Sequence, residues 1–178
     1  YNITKNIIIP AAAGFGTGHH PTTEGIIFIL NKINSYKDIK TKDIIDIGCG
    51  SGILGIVMAK LWKKNIELID IDLLAVKTSI YNAKINFLHN KLNIKKGNGL
   101  NMTQKEKYDL ITMNILAIPI LKNSYLIKKK LKFKGRVIIS GILHSQIFMI
   151  LNKLRLMGLV LEIQYTKNNW STLLLKKG

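Results

Sequence analysis

Length, composition and charge already limit what this chain of 178 residues can be. The length corresponds to about one domain, and a composition of 47% hydrophobic and 21% charged residues excludes a disordered or low-complexity chain. The single cysteine, Cys49, excludes a disulfide framework and a cysteine-rich zinc site, and it indicates a reducing compartment, so we expect a cytoplasmic protein. No apolar run reaches the roughly 20 residues of a membrane helix, so we predict no membrane partner.

The formal net charge of +17 would ordinarily indicate a nucleic acid or an anionic membrane as partner. However, only Arg136 and Arg155 among the 27 basic residues are arginine, the side chain that favours bidentate contacts with phosphate and guanine. We therefore interpret the charge as a composition bias that coats the surface with lysine, and the lysines at 128–130, 132 and 134 as a solvated helix face. A nucleic-acid partner stays open as the less favoured interpretation.

From about residue 41 onward, apolar runs of strand length alternate with segments of helical spacing. Strands are predicted at 43–48, 67–72, 92–96, 108–114, 135–140, 159–166 and 169–175, the last two joined by a turn at Lys167 and Asn168. Helices are predicted at 24–33 behind Pro21, 53–62, 73–88, 115–133 and 144–157. This alternation predicts an α/β fold, a doubly wound and mostly parallel seven-stranded sheet of Rossmann-like type with an antiparallel edge hairpin.

Ligands of open α/β sheets bind beyond the carboxyl ends of the strands, so the residues at those ends are informative. The first predicted strand ends in a glycine-rich turn, residues 46–52, where the backbone can approach a ligand closely. The second ends at Asp70, 22 residues after Gly48, where a carboxylate can accept both hydroxyls of a ribose. The fourth ends at Asn114, whose side-chain carbonyl can accept a hydrogen bond from an incoming amine.

Two cofactors fit this pattern. Gly50, Gly52 and Gly55 form the G-x-G-x-x-G of many NAD enzymes. Asp46 stands just before these glycines, where it would repel a pyrophosphate, whereas a cofactor with an α-amino group and a sulfonium tolerates an acidic neighbour. The residues alone therefore leave NAD open but favour the cationic cofactor.

No metal site is predicted. His19 and His20 are adjacent and cannot share a helix face, and no Asp, Glu or Cys stands at ligand spacing from them. We expect a loop or packing role for both histidines. Cys49 lies inside the glycine-rich turn, where a small side chain is needed, and no base partner for nucleophilic catalysis is evident.

Five segments together resemble the PrmA family, the class I S-adenosylmethionine-dependent methyltransferases that modify a large-subunit ribosomal protein. These segments are FGTGHHPTT (15–23), DIGCGSGILGI (46–56), IDID (69–72), NIL (114–116) and SGIL (140–143), followed by Trp170. The resemblance implies that Thr23, Gly48, Asp70 and Asn114 contact S-adenosylmethionine. Gly48 would lie under the methionine part, Asp70 would bind the ribose, Asn114 would lie at the methyl end, and Thr23 would meet the carboxylate.

The resemblance also implies a function, the methylation of lysine and/or N-terminal amino groups of a ribosomal protein. The cofactor supplies the reactivity of such a transfer, so no catalytic residue and no metal is assigned. Two alternatives stay open: an RNA methyltransferase on the same fold, and a cofactor-binding remnant without catalysis. Leu68 and Leu73 depart from the small residue and the proline that are usual in the family, and Asn98 departs from an acidic residue near adenine in the wider superfamily.

We predict one methyltransferase domain over residues 1–178. Residues 1–40 would form a leading helix and a loop that covers the cofactor, and residues 41–178 would form the sheet core. Gly14, Gly16 and Gly18 would make the covering loop flexible enough to close. Family members carry a small N-terminal domain that captures the ribosomal protein, and we expect this chain to begin after it.

Overall fold

The structure is a computed structural model, and it describes residues 7–10, 20–36 and 41–178. The strands are β1 (Ile44–Ile47), β2 (Ile66–Asp70), β3 (Leu92–Lys96), β4 (Tyr108–Asn114), β5 (Leu131–Leu143), β6 (Leu159–Lys167) and β7 (Trp170–Lys177). The helices are α1 (Pro21–Ile33), α2 (Ile53–Trp62), α3 (Leu73–Ile85), α4 (Ala117–Lys122), α5 (Ser124–Lys130) and α6 (Ile147–Leu156), with 3₁₀ turns at Gly99–Met102 and His144–Gln146. No helix of the described ranges is long and apolar enough to cross a membrane.

The seven strands form one sheet in the order β3-β2-β1-β4-β5-β7-β6. The first five pair in parallel, whereas β7 runs antiparallel to both β5 and β6. This is the predicted α/β sheet with its antiparallel edge hairpin. After β1 the chain winds outward through β2 to β3 and then returns to place β4 on the other side of β1. The crevice between β1 and β4 is therefore the switch point at which ligands bind in such sheets.

Each face of the sheet is covered by helices, because alternate residues of a strand point to opposite sides. All four residues of β1 are buried. Ile44 belongs to the hydrophobic cluster beneath α1 and α2, and its neighbour Ile45 belongs to the cluster beneath α4, α5 and α6. The central strands are thus buried on both faces. They support the residues that follow their carboxyl ends.

The single helix predicted at 115–133 is wrong. Asn123 separates α4 from α5, with its backbone N–H and its side-chain amide both donating to the Pro119 carbonyl. Leu131 then turns extended and pairs with Tyr108 at the start of β5. Lys132 is therefore not on a solvated helix face: its ammonium contacts the carboxylates of Asp43 and Asp109.

The hairpin between β6 and β7 turns at Asn168 and Asn169, one residue later than predicted. Both asparagines have positive φ, 47° and 64°. Two-residue hairpin turns of the type that matches strand twist require positive φ at both positions, and asparagine tolerates that conformation better than lysine. This preference explains why Lys167 stays in the strand.

Candidate cofactor site

A cavity of about 590 Å³ opens at the carboxyl ends of β1, β2, β3 and β4. Its walls include the turn after β1, the residues that follow β2, the 3₁₀ turn after β3, and Met113 and Ile115 at the end of β4. The volume is within the range of small-molecule sites. The cavity lies at the switch point of the sheet, where the strand order predicts a ligand.

The turn after β1 follows a path that glycine alone adopts easily. Gly48 has a φ of 72°, and a Cβ built on it would stand 2.5 Å from Cγ2 of Ile115. Gly50 has a φ of 53°, and both glycines line the cavity. The turn therefore brings bare backbone to the cavity wall, as close approach to a ligand requires. Gly48, predicted to contact the cofactor, is thus part of the cavity wall.

Asp70 is the last residue of β2 and lines the same cavity. One of its carboxylate oxygens accepts the backbone N–H of Gly50 at 2.9 Å, and the other accepts that of Asp72 at 2.9 Å. Each carboxylate oxygen can accept two hydrogen bonds, so both keep capacity for a further donor. Asp70 therefore holds the glycine turn in place and can still accept two hydroxyl groups from a ligand.

Asp46 lies one residue deeper than the cavity wall and is fully buried. One oxygen accepts a 2.6 Å hydrogen bond from the Thr112 hydroxyl, and the other has no hydrogen-bond partner among the described residues. Burial raises the pKa of Asp46 to about 7 against the effect of the Thr112 hydrogen bond, and the charge of nearby Asp70 adds to the rise. Asp46 in β1 and Asp70 at the end of β2 place two carboxyl groups near the glycine turn. These groups favour a cationic ligand over a pyrophosphate.

Asn114 and Thr23 come together although 91 residues separate them. The amide nitrogen of Asn114 donates to the Thr23 hydroxyl over 3.4 Å, because α1 begins at Pro21 and its first turn lies beside the end of β4. This bond leaves the Asn114 carbonyl oxygen as the group that can accept. Neither side chain is part of the cavity wall, but Met113 and Ile115 on either side of Asn114 are.

The four predicted cofactor residues thus form two adjacent pairs. Gly48 and Asp70 line the cavity, whereas Thr23 and Asn114 lie next to it between α1 and β4. Asn98, which stands where the wider superfamily has an acidic residue near adenine, lines the cavity after β3. The covering loop with Gly14, Gly16 and Gly18 falls outside the described residues, and so does His19.

His20 and Cys49 have structural surroundings. The His20 ring caps α1 by accepting from the Thr22 N–H, and it packs edge-on against Trp170 with ring centroids 5.1 Å apart. Burial raises the pKa of the Cys49 thiol to about 12, which keeps it a neutral thiol at ordinary pH. Within the described ranges, no three His, Cys, Asp or Glu residues are grouped closely enough to hold a metal ion.

A buried row of polar side chains follows one face of α3 and its carboxyl-terminal cap, and it was not predicted from the sequence. The row consists of Ser79, Asn82 and Asn86. The Ser79 hydroxyl donates to the Gly50 carbonyl and the Asn82 amide to the Ser51 carbonyl, each over 2.8 Å. Their spacing of three and four residues places them on one helix face, and that spacing in the sequence is the signal that could have revealed them.

Comparison with known proteins identifies the family of this chain. The family model for "Ribosomal protein L11 methyltransferase (PrmA)" matches residues 3–178. A ribosomal protein L11 methyltransferase of Dictyoglomus turgidum is 38% identical over 176 residues, which cover 96% of this chain and 56% of the relative. One from a Caulobacter species is 35% identical over 175 residues, which cover 98% of this chain and 60% of the relative. The crystal structure of the ribosomal protein L11 methylase of Lactobacillus delbrueckii subsp. bulgaricus has a TM-score of 0.79 at 28% identity, covering 90% of this chain and 81% of that one.

The chain spans only 56% and 60% of the length of these two curated relatives. The family match nevertheless includes all seven strands and every residue of the cavity wall. The family model and the relatives, which are more than 30% identical over nearly the whole chain, indicate the same family. The sheet order is consistent with it. The chain belongs to the ribosomal protein L11 methyltransferase (PrmA) family.

Proposed function

We propose that this chain is an S-adenosylmethionine-dependent protein N-methyltransferase whose substrate is a large-subunit ribosomal protein, ribosomal protein L11. Lysine and/or N-terminal amino groups are the proposed acceptors. We also propose that residues 1–178 form one methyltransferase domain that works in the cytoplasm. The observation that carries the proposal is the meeting of the glycine turn, Asp70 and Asn114 around one crevice in a chain of this family.

The residues around the crevice fit the cofactor well. The backbone of the turn at Gly48 would lie under its methionine part, and Asp70 has capacity to accept the two ribose hydroxyls. A ligand with an ammonium and a sulfonium would offset the burial that raises the pKa of Asp46, whereas the pyrophosphate of NAD would raise that pKa further. When bound, S-adenosylmethionine supplies a methyl group activated by its positively charged sulfur.

The chain's own contribution to transfer is to hold an amine in line with that methyl group. The amide nitrogen of Asn114 is hydrogen-bonded to the Thr23 hydroxyl, which leaves the side-chain carbonyl oxygen of Asn114 as an acceptor. This oxygen can accept an N–H of the incoming amine and so orient the lone pair of the amine nitrogen toward the methyl group. A lysine amine begins protonated, with an ordinary pKa of about 10.4, and desolvation beside a cation lowers it. We therefore assign positioning to Asn114 and proton loss to water, with no general base.

The test is to incubate the chain with methyl-labelled S-adenosylmethionine, free ribosomal proteins and ribosomal RNA, and to identify the labelled species by mass spectrometry. We expect label on amino groups of ribosomal protein L11 and none on RNA. Asn114→Ala should slow transfer on the order of 10²-fold, since it removes the group that orients the amine. Asn65→Ala is the matched control and should leave the rate unchanged, because Asn65 is exposed and precedes β2 at the amino ends of the strands, away from the cavity.

The other outcomes identify the alternatives. Label on RNA alone would replace the proposal with an RNA methyltransferase. Cofactor binding without label in any ribosomal fraction would instead indicate a binding remnant without catalysis. An Asn114→Ala variant with full activity would overturn the positioning role but not the substrate assignment.

A further inference from the structure

One wall of the cofactor cavity is formed by residues 7–10, a short extended segment that we call the strap. Ile9 and Pro10 line the cavity. Ile7 and Ile9 pack against the hydrophobic cluster beneath α1 and α2, whereas the Ile8 side chain between them is 60% exposed. The strap therefore lies with one face on the protein, and that face includes part of the cavity wall.

The Asn86 side chain hydrogen-bonds to the backbone of the strap. Asn86, at the carboxyl end of α3, accepts the Ile8 N–H over 3.0 Å and donates its amide to the Ile8 carbonyl over 2.8 Å. The same amide nitrogen also donates to the Asn82 carbonyl at 2.8 Å. Asn86 is only 7% exposed, so the side-chain end of these bonds is largely shielded from water. The primary amide of Asn86 carries both an acceptor oxygen and donor N–H groups, and its pairing with the Ile8 backbone uses both.

The strap and the glycine turn are thereby attached to the same helix face. Ser79 and Asn82 hold the Gly50 and Ser51 carbonyls, and Asn86 holds Ile8 one turn further along α3. Asn82 itself lines the cavity. Two parts of the cavity wall are therefore held by one buried row of polar side chains.

We propose that Asn86 is a positioning residue for the cofactor, which keeps the strap in place as a wall of the cavity before the cofactor arrives. The inference rests on the proposed cofactor site. With Asn86 in place, the strap is already ordered, so binding does not have to order it. Without the amide, the backbone groups of Ile8 lose their partners, the strap loosens, and each binding event carries the cost of ordering Ile9 and Pro10.

The first test measures the dissociation constant of S-adenosylmethionine by calorimetry. Asn86→Ala is expected to weaken binding about tenfold, as loss of one to two buried hydrogen bonds implies. Asn86→Asp should weaken it similarly, because a carboxylate can accept from the Ile8 N–H but cannot donate to the Ile8 and Asn82 carbonyls. Asn90→Ala, an exposed asparagine four residues further along, is the control and should bind as the parent does.

A double-mutant cycle separates positioning from general destabilisation. Ile9→Ala truncates one of the two strap residues that line the cavity, so in that background Asn86→Ala should cost less than tenfold. Hydrogen exchange gives a readout without cofactor: the Ile8 amide should exchange faster in Asn86→Ala while the amides of β1 and β4 remain protected. Exchange that accelerates equally throughout the chain would instead indicate a merely structural role.

The results also distinguish this inference from the proposed function. If the parent chain does not bind S-adenosylmethionine, the proposed cofactor site is wrong. If the parent binds and folded Asn86→Ala and Asn86→Asp bind equally well, the positioning role is wrong and the cofactor site stands. Full additivity with Ile9→Ala would also contradict action through the strap.

Discussion

The sequence shows that Asp46 precedes the glycines, but the chemistry of its carboxyl group depends on contacts that only the fold creates. Its position just before the glycines predicts an acidic neighbour for the ligand. The fold adds complete burial, the hydroxyl of Thr112 from the neighbouring strand, and the charge of Asp70 nearby. Thr112 is 66 residues away along the chain, so no local pattern could indicate the contact.

The raised pKa of Asp46 predicts a specific pH dependence of stability. The folded-state pKa of about 7 lies above the ordinary 3.8, so the folded protein binds the proton more tightly than the unfolded chain does. This contribution to stability is complete below about pH 4 and is lost as the pH rises through about 7. Asp46→Asn should therefore reduce the fall in unfolding free energy between about pH 5 and pH 8, measured by urea denaturation. An identical fall in the parent and in Asp46→Asn would contradict the assigned protonation.

The close contact between helix α2 and strand β2 explains why the third position of G-x-G-x-x-G, Gly55, is a glycine. A Cβ on Gly55 would stand 2.6 Å from Cδ2 of Leu68, far closer than van der Waals contact. The family usually has a small residue at the position of Leu68, and here the leucine fills the space that Gly55 leaves. The helix can therefore lie close to the strand and place its amino end under the turn that lines the cavity.

This contact predicts a change of sign in a stability series. In the parent chain, Gly55→Ala gains roughly 0.5–1 kcal/mol of helix propensity but costs roughly 1–3 kcal/mol of overpacking against Leu68. The net result should be a loss of about 1 kcal/mol of unfolding free energy, measured by denaturant titration. In a Leu68→Ala background the same change should be stabilising, because the clash is gone. If Gly55→Ala instead stabilises the parent chain, the close contact between residue 55 and Leu68 is wrong.

Helix boundaries show where sequence reasoning fails and why. The helix 53–62 was predicted with its observed bounds, since its apolar spacing is local information. The helix at 115–133 was not, because Leu131 leaves the helix to pair with Tyr108, a contact made across the sheet. The strap is a similar case: Asn86 and Ile8 are 78 residues apart, and only the fold brings them together.

For the whole molecule, the alternation of strands and helices predicts the doubly wound, mostly parallel sheet with its antiparallel hairpin, and the strand ends predict the crevice. Both follow from chain-order rules that hold for open α/β sheets in general. The net charge of +17 was less informative. Ribosomal proteins are usually basic themselves, so this charge would repel rather than attract the proposed substrate. The lysines also include structural ones, such as Lys132 with Asp43 and Asp109.

We propose that the crevice binds S-adenosylmethionine through Asp70. This is tested by a calorimetric titration of S-adenosylmethionine and of NAD into the parent chain, Asp70→Asn and Glu106→Gln. Both variants replace a carboxylate with an amide, but Glu106 is exposed and is not part of the cavity wall. We predict binding of S-adenosylmethionine but not NAD, an affinity loss on the order of 10²-fold in Asp70→Asn, and parent-like binding in Glu106→Gln. Tighter binding of NAD, or unchanged affinity in Asp70→Asn, would show that Asp70 does not hold S-adenosylmethionine in this crevice.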